Sequence, residues 1–216
     1  MTKVQKKHMK IVMLGESGVG KTCILERYTS QTFQTTDTAN HAYFKVHPLT
    51  LPDKTIKVIQ TIWDTAGQEL YRSLCPFYYR DADCVVLVYD ITTQRSFEEL
   101  EYWVDQVKEN GRADIILAIA GNKIDRINEE AVSPEKAEKF AEKHGAVLYL
   151  TSALKNINII EMYTELAIRK FPGFKNALND IMADYNNGHN EKESGEDARK
   201  VSLVSESFKK RKTKCC

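Results

Sequence analysis

The chain has 216 residues, a formal net charge of +1 and 42% hydrophobic residues. That length supplies one well-buried domain with segments to spare, and the near-neutral balance excludes a general electrostatic pull toward nucleic acid. No apolar run is long enough to span a bilayer, and residues 1–7 carry charges with no apolar core behind them, which speaks against a secretory signal peptide.

The first predicted element is a buried strand over residues 9–14, with residues 1–8 left as an N-terminal extension. It runs into Gly15-Glu16-Ser17-Gly18-Val19-Gly20-Lys21-Thr22, which fits the phosphate-loop pattern G-x-x-x-x-G-K-[ST]. Glycines at that spacing let backbone N–H groups wrap a phosphate chain, the lysine adds charge at the β/γ-phosphates, and the threonine hydroxyl is placed to ligate Mg²⁺. Residues 22–28 read as the opening of a helix, whose N-terminus favours anions. Two strands follow over 42–51 and 56–63, joined by a turn at Pro52-Asp53-Lys54. Apolar runs at 83–89 and 115–120 suit strands buried on both faces, as in a parallel sheet, and a last strand is expected at 146–150. Helical patterns lie at 96–109, 134–143 and 157–170, the second opened by a Ser133 cap and Pro134. The alternation argues an α/β layer fold with a mostly parallel six-stranded sheet and helices on both faces. Ligands in such sheets bind at the carboxyl ends of strands, where the phosphate loop falls.

Composition changes near Pro172-Gly173, so the domain is taken as 9–174. Residues 175–216 are polar and too sparse in apolar side chains to offset their ordering entropy, apart from a short helix compatible with 179–185. Of five cysteines, Cys23, Cys75 and Cys84 are scattered without metal-ligand spacing. A reduced, cytosolic setting fits this usage, and Cys23 and Cys84 read as small core residues.

Further motifs appear: Trp63-Asp64-Thr65-Ala66-Gly67-Gln68-Glu69, Gly121-Asn122-Lys123-Ile124-Asp125 and Thr151-Ser152-Ala153-Leu154-Lys155 each follow a predicted strand, and Tyr78-Tyr79-Arg80-Asp81-Ala82 and Leu87-Val88-Tyr89-Asp90-Ile91-Thr92 complete the set. With the phosphate loop and in this order, they make the chain resemble a Rab-family small GTPase of the Ras superfamily over residues 10–171. The resemblance implies the Ras-like G domain, a P-loop NTPase fold, and a slow GTP hydrolase with Mg²⁺ as cofactor. A P-loop ATPase or kinase is set aside by Asn122-Lys123-Ile124-Asp125.

The resemblance implies roles residue by residue. Phosphate contacts fall on Gly15, Glu16, Ser17, Gly18, Val19, Gly20, Lys21, Thr22 and Cys23, with the Gly67 N–H sensing the γ-phosphate. Thr22 holds Mg²⁺ directly and Asp64 through water. Gln68 matches the glutamine that orients the attacking water, and no arginine finger is evident in the chain. Asp125 accepts from the guanine N1–H and 2-amino groups, which adenine lacks, so adenine would leave a buried carboxylate unpaired. Asn122, Lys123, Ser152 and Leu154 shape the base pocket, and the Ala153 N–H meets the guanine O6. Phe33 either stacks on the base or is a loop aromatic packed on the core. Phe44, Trp63 and Tyr78 match three aromatics that Rab proteins present to partners, the plain alternative being packing between strand and helix.

The chain departs from the family in two places. The usual switch I threonine falls on Ala39 counting back from Phe44, or on Asn40 counting forward from Thr22, and neither is threonine. Thr38 with a small loop shift fills the role, or the Mg²⁺ clasp is weakened and the protein is a poorly hydrolysing nucleotide-bound scaffold. Glu69-Leu70-Tyr71 stands where Glu-Arg-aromatic is usual.

The chain ends Lys209-Lys210-Arg211-Lys212-Thr213-Lys214-Cys215-Cys216. This resembles the Rab ending in which both cysteines carry geranylgeranyl groups; two lipids anchor stably where one does not, and each basic residue adds up to about 1 kcal/mol near anionic lipid. As flexible coil the tail spans roughly 35 Å. The resemblance implies effectors, an exchange factor, an activating protein, a prenylation escort and a dissociation inhibitor as partners, with no nucleic acid. It places the protein on the cytoplasmic face of an intracellular membrane with a cytosolic pool, and leans to the endosomal subgroup.

Overall fold

The first strand sets the frame. In the computed structural model, which describes residues 4–33, 43–50, 56–65 and 75–172, β1 (Gln5–Leu14) starts exposed and ends wholly buried. The change follows its neighbours. β3 (Ile56–Asp64) pairs with β1 in parallel from Gln5 onward, whereas β4 (Cys84–Asp90) joins the other side only from Ile11. The strand thus starts four residues before the expected Met9, because backbone pairing on one side suffices where no apolar pattern marks the stretch. β4 lies between β1 and β5 (Ile116–Asn122) and all seven of its residues are buried, as its unbroken apolar run requires.

The sheet has six strands in the order β2-β3-β1-β4-β5-β6, with β2 (Tyr43–Thr50) at one edge and β6 (Val147–Leu150) at the other. Among the described residues, only the β2–β3 strand pair is antiparallel. From β1 the chain passes first to β3 on one side and then to β4 on the other. The carboxyl end of β1 is therefore a topological switch point, where such sheets bind ligands.

Two apolar layers flank the sheet. On one face Met9, Ile11, Met13, Val86 and Val88 pack with α1 (Lys21–Ser30) and α6 (Ile159–Lys170). On the other, Val12, Leu14, Val85 and Leu87 pack with α2 (Cys75–Tyr79), α3 (Gln94–Glu98), α4 (Leu100–Asn110) and α5 (Pro134–His144). α5 obeys its local signals: Ser133 accepts from the Lys136 N–H, Pro134 opens the helix, and Gly145 closes it at φ 67°.

Two helices differ from expectation. The pattern over 96–109 is divided at Glu99 into α3 and α4, and the bond from the Trp103 N–H to the Glu99 carbonyl stretches to 3.4 Å. α3 is anchored separately, since the Ser96 hydroxyl donates to the Thr93 carbonyl at 2.7 Å and accepts from the Asp90 N–H at 3.0 Å. α6 begins two residues late. Ile157 instead pairs with Ser152 in a short bridge, and Asn158 turns left-handed at φ 55° while its amide donates to the Leu150 carbonyl at 2.6 Å. The turn at 52–54 and the tail from 173 onward, including its short helix, lie outside the described residues.

Candidate nucleotide site

Residues from the carboxyl ends of β1, β3, β4, β5 and β6 converge. The phosphate loop leaves β1 with Gly15 at φ 142° and Gly20 at φ 97°. A side chain at Gly15 would strike the Val88 carbonyl, and one at Gly20 the Asn122 amide. Glycine is thus required by close approach as well as by dihedral. Ser17 and Gly18 form the turn between them.

Lys21 is 4% exposed, and its ammonium donates to the Gly15 carbonyl at 2.8 Å and the Glu16 carbonyl at 2.7 Å. Its charge is held over the loop, where an incoming polyphosphate meets a cation. One residue on, the Thr22 hydroxyl donates to Asp64 Oδ2 at 2.5 Å. Asp64 is fully buried, and its Oδ1 has no hydrogen-bond partner among the described residues. Burial pushes the Asp64 carboxyl above its ordinary value, while the Thr22 hydroxyl and the Lys21 charge pull it back.

The other half is built on β5 and β6. Asn122, 1% exposed, donates from Nδ2 to the Val19 carbonyl at 2.9 Å. Its Oδ1 accepts from the Thr151 hydroxyl at 3.3 Å and the Ala153 N–H at 3.2 Å. One amide thereby joins the phosphate loop to the loop after β6. The Ala153 N–H, expected at a guanine oxygen, is engaged by Asn122 in this arrangement. Lys123 turns left-handed at φ 68°, and its ammonium pairs with Asp90 Oδ2 at 2.7 Å. Burial would raise the Asp90 carboxyl, but Lys123 and the Thr92 donors hold it below its ordinary value. Asp125 Oδ1 accepts from the Ser152 hydroxyl, which itself accepts from the Lys155 N–H at 2.9 Å.

Arg27 ties α1 to the same loop. Its guanidinium donates to the Ala153 carbonyl at 2.8 Å and the Leu154 carbonyl at 3.0 Å, and lies 5.7 Å from the centre of the Phe33 ring. Phe33 is partly buried and packs against the core, next to the loop that carries Ala153. Cys23 is half-buried and Cys84 fully buried.

The Ras family profile matches residues 10–171. The chain is 42% identical over 169 residues to the Ras-related protein Rab-5B of Dictyostelium discoideum, covering 78% of each. It is 40% identical over 159 residues to Rab-10 of Caenorhabditis elegans, covering 73% of this chain and 78% of that one. Against Rab-13 of Bos taurus it is 36% identical over 168 residues, covering 77% and 82%. The chain belongs to the Rab family of small GTPases.

Membership brings guanine-nucleotide binding, GTP hydrolysis as the family's general chemistry, and Mg²⁺ as its usual ion. The residues of this Rab-family chain fit that ion: a threonine hydroxyl and a buried carboxylate with one unsatisfied oxygen are hard donors of the kind Mg²⁺ takes. The anticipated aromatics also come together. Phe44 and Trp63 lie 4.9 Å apart and Trp63 and Tyr78 5.7 Å, with Phe77 continuing the run 6.0 Å from Tyr78. Trp63 and Tyr78 are half-buried against the core, so packing and exposure coexist there.

Sequence reasoning missed Arg27, Phe77 and the Lys123–Asp90 pair. Arg27 has a weak signal, a half-buried position four residues after Cys23 on one helix face; Asp90 stands in a quoted motif without a role. Thr38, Ala39, Asn40, Gly67, Gln68, the segment Glu69-Leu70-Tyr71, Cys215 and Cys216 lie outside the described residues.

Proposed function

We propose that this protein is a GTP/GDP-cycling, membrane-anchored switch that recruits effectors in intracellular vesicle transport. The observation that carries the reading is the Asn122 amide, which spans Val19 in the phosphate loop and Ala153 in the base loop. A nucleotide reaching across those loops is held at its phosphates and its base by one rigid connection. Asp125 then selects guanine, Lys21 meets the β/γ-phosphates, and Thr22 with Asp64 holds Mg²⁺. When bound, the ion would supply positive charge beside the phosphates. Gln68 orients the attacking water, and Gly67 senses the γ-phosphate. Hydrolysis is slow and relies on an activating protein for a missing arginine. Competition binding of GDP against ADP, followed by single-turnover GTP hydrolysis with and without Mg²⁺, tests the reading. Equal affinity for ADP would overturn it.

At the membrane, Cys215 and Cys216 carry geranylgeranyl groups and the basic run adds attraction to anionic lipid. The exchange factor, activating protein, prenylation escort and dissociation inhibitor follow from the family. An endosomal membrane is favoured, on the motif Gly121-Asn122-Lys123-Ile124-Asp125 with Tyr79-Arg80-Asp81. Among the described residues no helix is long and apolar enough to cross a membrane, which is compatible with attachment through the tail.

A second reading is favoured by one sequence observation, the absence of threonine at Ala39 and Asn40. Here the protein is a weakly hydrolysing scaffold whose switch I prefers GTP only slightly. Ala39→Thr and Asn40→Thr restore the hydroxyl in either register, and the correct one raises single-turnover hydrolysis. If neither does so while Thr38→Ala abolishes hydrolysis, Thr38 already fills the role and the second reading falls.

A further inference from the structure

Every nitrogen of the Arg27 guanidinium has an acceptor. Nε donates to the Ala153 carbonyl at 2.8 Å, Nη2 to the Leu154 carbonyl at 3.0 Å and Nη1 to the Gln31 carbonyl at 3.1 Å. The Gln31 N–H in turn donates to the Arg27 carbonyl at 3.1 Å. Root and head of the side chain are thereby fixed to one turn at the end of α1, and little rotamer freedom is left to lose at the loop after β6. That loop closes on itself at its ends, where Ser152 and Ile157 exchange N–H to carbonyl bonds at 3.1 and 3.0 Å. Between them, the consecutive carbonyls of Ala153 and Leu154 are taken by Arg27. A guanidinium fork can hold both; an ammonium is a single point.

The grip on Leu154 reaches beyond the loop. Its carbonyl and the Lys155 N–H belong to one planar peptide group and point in opposite directions across it. The Lys155 N–H donates to the Ser152 hydroxyl oxygen at 2.9 Å. A hydroxyl has one proton to give, and Ser152 gives it to Asp125 Oδ1. A continuous run therefore leads from Arg27 through peptide 154–155 and the Ser152 hydroxyl to the Asp125 carboxylate. Donor and acceptor follow in the same sense at each step, so each bond polarises the next. Ser152 is wholly buried, which keeps water from the middle of the run. The arginine starts from the same helix as Lys21 and Thr22, so α1 carries both the phosphate contacts and the far support of the base acceptor.

We propose that Arg27 is a positioning residue for base selection: it fixes peptide 154–155 and, through the Ser152 hydroxyl, holds the Asp125 carboxylate at the angle that takes both guanine donors. This rests on the reading of Asp125 as the guanine acceptor. Arg27 acts on the base through Asp125 and not by contact. A plain tie between α1 and the loop would loosen every purine nucleotide alike. A positioning role shows at the guanine 2-amino group, which needs the second contact of a correctly angled carboxylate.

The test compares GDP with inosine diphosphate, which keeps the 6-oxo group, the N1–H and both phosphates and lacks the 2-amino group. Their affinity ratio on the full chain, measured by competition at fixed Mg²⁺, cancels changes at the phosphate loop and at the Ala153 N–H. Arg27→Met keeps an unbranched stem and removes the fork; it lowers the preference for GDP about fivefold, the scale of one lost hydrogen bond. Where that variant does not fold, Arg27→Lys, which keeps the charge without the fork, reads the same loss. Ser152→Ala also lowers the ratio, and adding the Arg27 substitution to it lowers the ratio no further, because the run is already cut. An unchanged ratio in the Arg27 variant, or losses that add in the double variant, overturn the inference. Asp125→Asn separates the two levels. If it collapses the GDP preference while the Arg27 variant keeps it, the inference alone falls; if it too leaves the preference intact, the reading of Asp125 falls as well.

Discussion

At the residue scale, two carboxylates divide the work of the site by their surroundings. Asp125 is half-buried and oriented by a hydrogen bond from the Ser152 hydroxyl. Asp125→Asn replaces an acceptor with a donor, so preference shifts from guanine toward xanthine, whose 2-oxo group takes that donor; competition binding reads the shift, and an unchanged guanine preference would disprove the assignment. Asp64 is fully buried, and burial raises its carboxyl above the ordinary value. A carboxyl raised in the folded state binds protons more tightly than in the unfolded chain, so it costs stability as pH rises past the ordinary carboxylate range. Nucleotide- and metal-free protein therefore melts at a higher temperature after Asp64→Asn at pH 7, with the gain shrinking as the pH falls toward 4. The same substitution removes most of the Mg²⁺ dependence of nucleotide affinity, measured by nucleotide dissociation with and without chelator. A lower melting temperature at pH 7 would mean that the carboxylate is stabilised by its neighbours.

Elements differ in how their ends are secured. α5 relies on its own local chemistry, a Ser133 cap with Pro134 and a closing Gly145. Ser133→Ala leaves the Lys136 N–H without its side-chain partner and costs about 1 kcal/mol, seen as a shift in the denaturant midpoint with nucleotide exchange unchanged. α1 has no such cap. Its N-terminus is the phosphate loop itself, with Gly20 at the cap position and no side-chain cap bond. A helix N-terminus favours an anionic ligand there. Further along α1, Glu26 pairs with Lys45 of β2 at 2.5 Å, and the Lys45 ammonium holds its carboxyl low against the pull of burial. Both groups are partly exposed, so the pair is worth under ~1 kcal/mol and serves to register α1 against the edge strand.

For the whole molecule, the proposed lipid anchor stands apart in sequence from the folded domain. The core closes around the sheet by Phe171, which still packs on it, while the cysteine pair stands 44 residues later in the sequence, at 215 and 216. Cys215→Ser with Cys216→Ser leaves the melting temperature and nucleotide binding unchanged and moves the protein to the soluble fraction on membrane flotation. Replacing the five basic residues of 209–214 weakens membrane binding less, and in a salt-dependent way. Full membrane retention without both cysteines would require a second anchor.

Much of this protein is legible from its residues in order. Gly15 to Thr22, Asn122 to Asp125 and Thr151 to Lys155 each stand at the end of a strand, and the chemistry proposed for them depends on spacing within a few residues. β4 and α5 were equally plain, since an apolar run of seven and a capped amphipathic helix carry their signals locally. Tertiary structure alone decided the rest. The start of β1 at Gln5 depends on pairing with a strand some 50 residues away, which leaves no pattern in Lys6, Lys7 and His8. Arg27 meets Ala153 across 126 residues of sequence and Asn122 meets Val19 across 103. Local periodicity reports which face of an element is buried; it holds no record of which distant backbone a polar group will satisfy, and that is settled only when the sheet brings the loops to one edge.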